Sequence, residues 1–103
     1  MEGNYIEKVS IELADELGWL EKIQDPTWEY LPLLDLYTLL VFTKGEGCTL
    51  EDIHDAWSIW CNVEDPKHRS LKPFDELTLE VQLLDEKYCD AVRKVAAKLI
   101  NHD

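Results

Sequence analysis

The side chains best suited to chemistry lie between residues 54 and 77. His54 and Trp57 stand three residues apart in the segment His54-Asp55-Ala56-Trp57-Ser58-Ile59-Trp60-Cys61, so on a helix they share one face. Further on, Lys67, His68, Arg69 and Lys72 crowd into one polar stretch. It is the densest basic cluster in a chain with 10 Lys and Arg against 22 Asp and Glu. Overall composition does not explain local positive charge here, and the cluster points to an anionic or purine-like ligand. In that reading Trp57 or Trp60 supplies a stacking wall, while His54, Lys67, His68, Arg69 and Lys72 supply donors. The same residues admit a structural role. His54 would then bond to the backbone of the 64–73 loop, and Trp57 would belong to the core.

Other chemistries find less support. A zinc site built from His54, His68 and either Cys61 or a carboxylate has neither a HExxH-type pair nor a thiolate cluster behind it. The chain has no Gly-x-Ser-x-Gly elbow and no catalytic Cys–His signature. Gly45-Glu46-Gly47 lacks the Lys-Ser/Thr that follows in a phosphate-binding loop. Paired carboxylates such as Glu51-Asp52 and Asp75-Glu76 read as solvated helix starts. The expectation is a non-enzymatic protein that needs no cofactor.

Composition bounds the partners. A formal charge of −12 repels phosphate backbones, which argues against DNA or RNA and allows a basic protein partner. With 103 residues, 46% of them hydrophobic, the chain is sized for one folded domain with its own core. Cys48, Cys61 and Cys89 form no CxxC pair and sit among apolar neighbours, as buried thiols in a reducing compartment do. The stretch Met1 to Lys8 lacks the basic start and apolar centre of a signal peptide. No apolar run approaches the roughly 20 residues of a membrane helix. A cytoplasmic protein that does not enter membranes is expected.

The elements that must position these residues read as helices throughout. Asn4 caps a first helix whose stripe is Ile6, Val9, Leu13, Leu17 and Leu20, with Gly18 inside it at a cost of about 1 kcal/mol relative to Ala. Trp19 and Ile23 fold over its end, and Asp25-Pro26 breaks the chain. A second helix runs from Leu31 or Pro32 to Lys44, apolar almost all round and therefore central, until Gly45 ends it. Trp28 and Tyr30 plug the core from the first connection or form a lid or interface. Thr49 and Asp52 make a capping-box start for the third helix, which stops near Val63 before Asp65-Pro66. Pro73 to Leu77 forms a turn that drives Phe74 and Leu77 inward. Thr78 caps a last, longest helix with the stripe Val81, Leu84, Tyr88, Ala91 or Val92, Val95 and Leu99, its Tyr88 and Cys89 facing the third helix. Asn101-His102-Asp103 frays. The expected architecture is all-α, a single small domain of about four helices, with the first and last flanking a central hairpin.

Two separated motifs resemble a known family. Ile53-His54-Asp55-Ala56-Trp57, then His68-Arg69-Ser70-Leu71-Lys72-Pro73-Phe74-Asp75-Glu76-Leu77, then Asp85 on the final helix, are similar to the ryanodine-receptor (RyR) repeat domain over residues 49–98. The whole chain also resembles small proteins of actinobacteria and their phages. The Gly-Trp-x-x-Gly stretch usual between the motifs is absent, Gln82 stands where the family carries Lys, and Glu86 stands where Arg is common. The resemblance implies an all-helical fold with His54, Trp57, His68, Pro73, Phe74 and Leu77 as its signature. It further implies a module that holds a small nucleotide-derived ligand, in a phage a sponge for a defence signal, with the site at His54, Trp57, His68, Arg69 and Lys72. The alternative is an acidic protein–protein interaction module, such as a phage-encoded inhibitor of a basic host protein. A homodimer is compatible with either.

Overall fold

Helix α2, Leu31–Thr43, is the element the others pack against. Pro32 sits in its first turn, where a missing N–H leaves no bond unmade. Leu33, Leu34, Tyr37, Thr38 and Val41 are buried on faces turned to three other helices, as its apolar character predicts. In the computed structural model, which describes residues 3–100, the protein is all-α. Four helices of 13 or 15 residues, one short helix and three 3-10 turns are its regular elements among the described residues. The expected fraying of Asn101, His102 and Asp103 lies outside the described residues.

Helix α1, Tyr5–Leu17, begins where the Asn4 side chain accepts the Glu7 N–H at 2.9 Å. It ends sooner than its periodicity suggests. Gly18 is not an interior helical residue but the left-handed residue that terminates α1, with φ of 74°. Its N–H donates to the Asp15 carbonyl and the Trp19 N–H donates to that of Ala14, which satisfies the last turn and turns Trp19 back over the helix end. The chain therefore leaves the helix before Leu20, which is exposed, and Ile6 at the other end of the expected stripe is exposed as well.

Helix α3, Leu50–Glu64, starts with the full capping box: Thr49 accepts the Asp52 N–H and Asp52 accepts the Thr49 N–H. A 3-10 turn, Gly45–Gly47, joins it to α2, with Gly45 at φ 56°. The carbonyl of Cys48 beyond that turn accepts the Arg93 Nε–H at 2.7 Å and the Cys89 thiol at 3.3 Å, which pins the connection to the last helix.

The expected long final helix is two helices, α4 (Leu79–Leu83) and α5 (Glu86–Ile100). At their junction the Leu84 and Asp85 N–H groups donate to Val81 and Gln82, three residues back, so the backbone tightens and changes course. Gln82 supplies the reason, since its Nε2 donates to the Phe74 carbonyl at 3.0 Å and to that of Leu77 at 3.3 Å. That ties α4 to the 3-10 turn Phe74–Glu76 instead of to the axis of α5. Leu84 and Leu99, expected on the buried stripe, are exposed, and Cys89, Ala91, Val92, Val95 and Ala96 carry the burial. Tyr88 packs on Tyr37 of α2 and on Trp19.

Helices α1 and α5 pack on each other as well as on α2, and α3 packs chiefly on α2. The basic residues at the end of α5 do more than suit its dipole: Lys94 and Lys98 pair with Glu16, and Lys98 also with Glu12. Among the described residues no helix is long and apolar enough to cross a membrane. Because Gly18 alone gives α1 its left-handed end, Gly18→Ala should lower stability by about 1 kcal/mol. Urea denaturation of the two proteins measures this, and an unchanged midpoint would mean that the turn tolerates a Cβ.

Candidate functional site

The two motifs meet in space. On α3 the His54 ring is buried and lies nearly parallel to Trp57, with ring centres 5.7 Å apart, and Phe74 packs on it at a tilt with centres 6.2 Å apart. His68 comes back from the loop to meet the Trp57 ring edge-on at 5.1 Å. His54 Nε2 lies 2.7 Å from the Lys72 carbonyl, which can only accept, so Nε2 carries the proton. His68 Nδ1 accepts the Ser70 N–H at 3.0 Å, which leaves the proton of its neutral ring on Nε2. The structural role for His54 is thus realised: it fastens the 64–73 loop to α3.

It does not exhaust the residue. His54, Trp57 and His68 also line a half-enclosed cavity of about 480 Å³, within the usual range for small-molecule sites. Its other walls are aromatic. Trp19 arrives from the end of α1, Tyr30 from the first connection, Tyr37 from α2, Trp60 from α3 and Tyr88 from α5. Tyr30 and Trp60 are in contact at 5.0 Å, and the Trp60 indole N–H donates to the Glu29 carbonyl, which fixes that wall. Trp28 stacks edge-on against Trp19 and Tyr30 from behind. Tyr30 is therefore a wall of the cavity, and Trp28 packs against it without lining the space.

One carboxylate lines this aromatic space: Asp85, at the junction of α4 and α5. Burial pushes its carboxyl up to about 6, with the nearby His54 pulling the other way. Among the described residues it receives no hydrogen bond and forms no ion pair. Burial also raises the Tyr37 and Tyr88 hydroxyls above the ordinary phenol value, so both stay protonated.

The basic residues of the loop are placed differently. Lys67, Arg69 and Lys72 are exposed, and none of the three lines the cavity. The Lys72 side chain borders a separate surface depression with Asp55 and Ser58. Of the five residues expected to form the site, His54, Trp57 and His68 come together and Arg69 and Lys72 stand outside. Asp85, Trp19, Tyr30, Tyr37 and Tyr88 were not expected there. Asp85 had a readable signal, since it stands four residues after Val81 and three before Tyr88, an acid on the apolar stripe. Among the described residues no group of three or more His, Cys, Asp or Glu gathers to hold a metal, and Cys61 instead donates to the Asp65 carbonyl.

The raised value of Asp85 fixes a direction of pH dependence. Its folded value lies above the unfolded one, so the folded state holds more protons between about pH 4 and 6, and the group's contribution to stability is lost as pH rises through that window. Asp85→Asn, which removes the charge, should melt higher than the wild type at pH 7.5, with the difference shrinking towards zero near pH 4. Melting curves across that range check the sign; equal melting at pH 7.5 would show that the carboxylate is well solvated.

No curated protein and no solved structure matches the chain. A family model described as "Domain of unknown function (DUF7701)" matches residues 4–97. That span holds both motifs and every cavity-lining residue named above. The chain belongs to the DUF7701 family.

Proposed function

We propose that the protein is a non-enzymatic binding module that takes a small, flat, nucleotide-derived ligand in the cavity between α2, α3 and the α4–α5 junction. The observation that carries this reading is the convergence of aromatic rings from α2, α3, α5 and the first connection on one half-open space. The rings pack on one another at the edge of the core and also border accessible volume. Stacking on aromatic side chains contributes about 1–3 kcal/mol per base. The ring would occupy the cavity and the phosphates would remain outside it, because Asp85 repels them and no Lys or Arg lines the walls. Arg69, exposed between the lining residues His68 and Ser70, is the cation best placed in the chain to meet such a phosphate. The similarity of the His54–Trp57 and His68–Leu77 motifs to RyR repeat domains supports the same class of ligand, and sequestration of a signalling nucleotide, as by a phage protein, is the role it suits. Three buried, unpaired cysteines support a reducing, cytoplasmic setting.

A second reading, docking to a basic protein, draws on Tyr5, Leu39 and Phe42. They are exposed on adjoining faces of α1 and α2, with Tyr5 and Phe42 in edge-to-face contact at 5.6 Å, in a chain of charge −12.

A thermal-shift and calorimetry panel of nucleosides, nucleotides and cyclic or ADP-ribose-type signals tests the first reading. A ligand at a hundredfold excess over its dissociation constant should stabilise the protein by about 2.7 kcal/mol. Trp57→Leu, checked for helical content, should abolish the shift, and Arg69→Ala should weaken phosphorylated ligands alone. No shift with any compound sinks the cavity reading and leaves the protein-partner one.

A further inference from the structure

Resting on the cavity reading, we infer that Asp85 is the residue that selects the ligand, and that the ligand presents to it a flat edge with two adjacent N–H donors, as guanine-type bases and amidines do. The argument begins with what the carboxylate lacks. Asp85 is half-buried among Tyr37, Tyr88 and Val81 at the residue before α5, where its main-chain carbonyl accepts the Tyr88 and Cys89 N–H groups, but among the described residues its side chain accepts no hydrogen bond and pairs with no cation. Burial raises its carboxyl, and its oxygens face the open space of the cavity instead of a partner in the fold. A ligand's donors would complete it.

The chemistry of the walls narrows those donors. An ionised carboxylate only accepts, through two oxygens in one plane, so it matches two parallel N–H groups. The rings of Trp19, Tyr30, Trp57, Trp60 and Tyr88 favour a flat partner and, through their faces, positive charge. Guanine offers a ring N–H beside an exocyclic amino group. A benzamidine-like cation offers the same pair with a full charge. Adenine offers an amino group beside a ring nitrogen lone pair, which would face a carboxylate oxygen and be repelled. His54 Nε2–H is spent on the Lys72 carbonyl and His68 Nδ1 on the Ser70 N–H, which leaves His68 Nε2–H as a donor and not as an acceptor that competes with Asp85. The other titratable groups facing Asp85 are the Tyr37 and Tyr88 hydroxyls, which stay protonated and carry no charge that could substitute for a ligand.

Isothermal titration of the wild type and of Asp85→Asn with guanosine, adenosine and benzamidine is the test. Nucleosides are used because phosphates would add repulsion unrelated to the edge being read. The wild type should bind guanosine about tenfold or more tightly than adenosine, the discrimination expected of one good bidentate contact. Asn at the same place offers one acceptor and one donor, the pattern complementary to adenine, so Asp85→Asn should invert the preference. A purely structural role for Asp85 would not invert it. Benzamidine binding that is lost in Asp85→Asn, with guanosine silent, supports the paired-donor edge and identifies an amidine-type cation as its source. Adenosine binding as tightly as guanosine in the wild type overturns the inference and leaves the cavity reading standing, as does a preference unchanged in the variant. No heat with any of the three overturns the inference, and the nucleotide panel then decides the cavity reading separately.

Discussion

The bond from His54 Nε2–H to the Lys72 carbonyl holds together parts of the molecule that have little else in common. On one side is α3, a well-capped helix with a buried face. On the other is the stretch from 64 to 78, largely irregular and mostly exposed, with only Leu77 fully buried. Such a stretch buries too little apolar surface to fix its own course. A buried, hydrogen-bonded imidazole packed on Trp57 and Phe74 fixes it instead. Once the loop is set, His68 meets Trp57, Phe74 presents its carbonyl to Gln82, and α4 follows.

The cavity is a by-product of that chain of attachments. If α4 and α5 were one helix, Leu84 would face inward on a continuous stripe and the space would fill with aliphatic side chains. The tie from Gln82 draws α4 aside, and the junction leaves Asp85 where a Leu or Val would be expected. The aromatic rings then border a space, because their backbones are held apart by helices that answer to other contacts: Trp19 by the Gly18 turn, Trp60 by its bond to Glu29, Tyr37 by the core.

Local signals read well from the chain and non-local ones did not. The Asn4 and Thr49 caps, Pro32 in the first turn of α2 and the apolar character of α2 each depend on neighbours a few residues away, so they were legible. Gly18 was ambiguous because one glycine serves equally as a weak helix interior or as a strong terminator, and only the exposure of Leu20 decides between them. The α4–α5 break was illegible since Val81, Leu84 and Tyr88 keep helical spacing straight through it, while its cause is a side chain reaching residues 74 and 77. Half of the expected site was visible in the His54–Trp57 spacing. The charged half failed for a simple reason: Lys and Arg on an exposed polar loop gain more from water than from an aromatic wall with no anion in it.

The short helix α4 has a consequence of its own. Five residues make barely more than one turn, too few to be stable alone, and the segment persists through the two Gln82 contacts and the cap at Thr78. Its amides therefore belong to a smaller cooperative unit than those of α2 or α5, one that can open while the core stays shut. Since Val81 and Leu84 form part of the cavity wall, that wall is the part of the enclosure cheapest to displace.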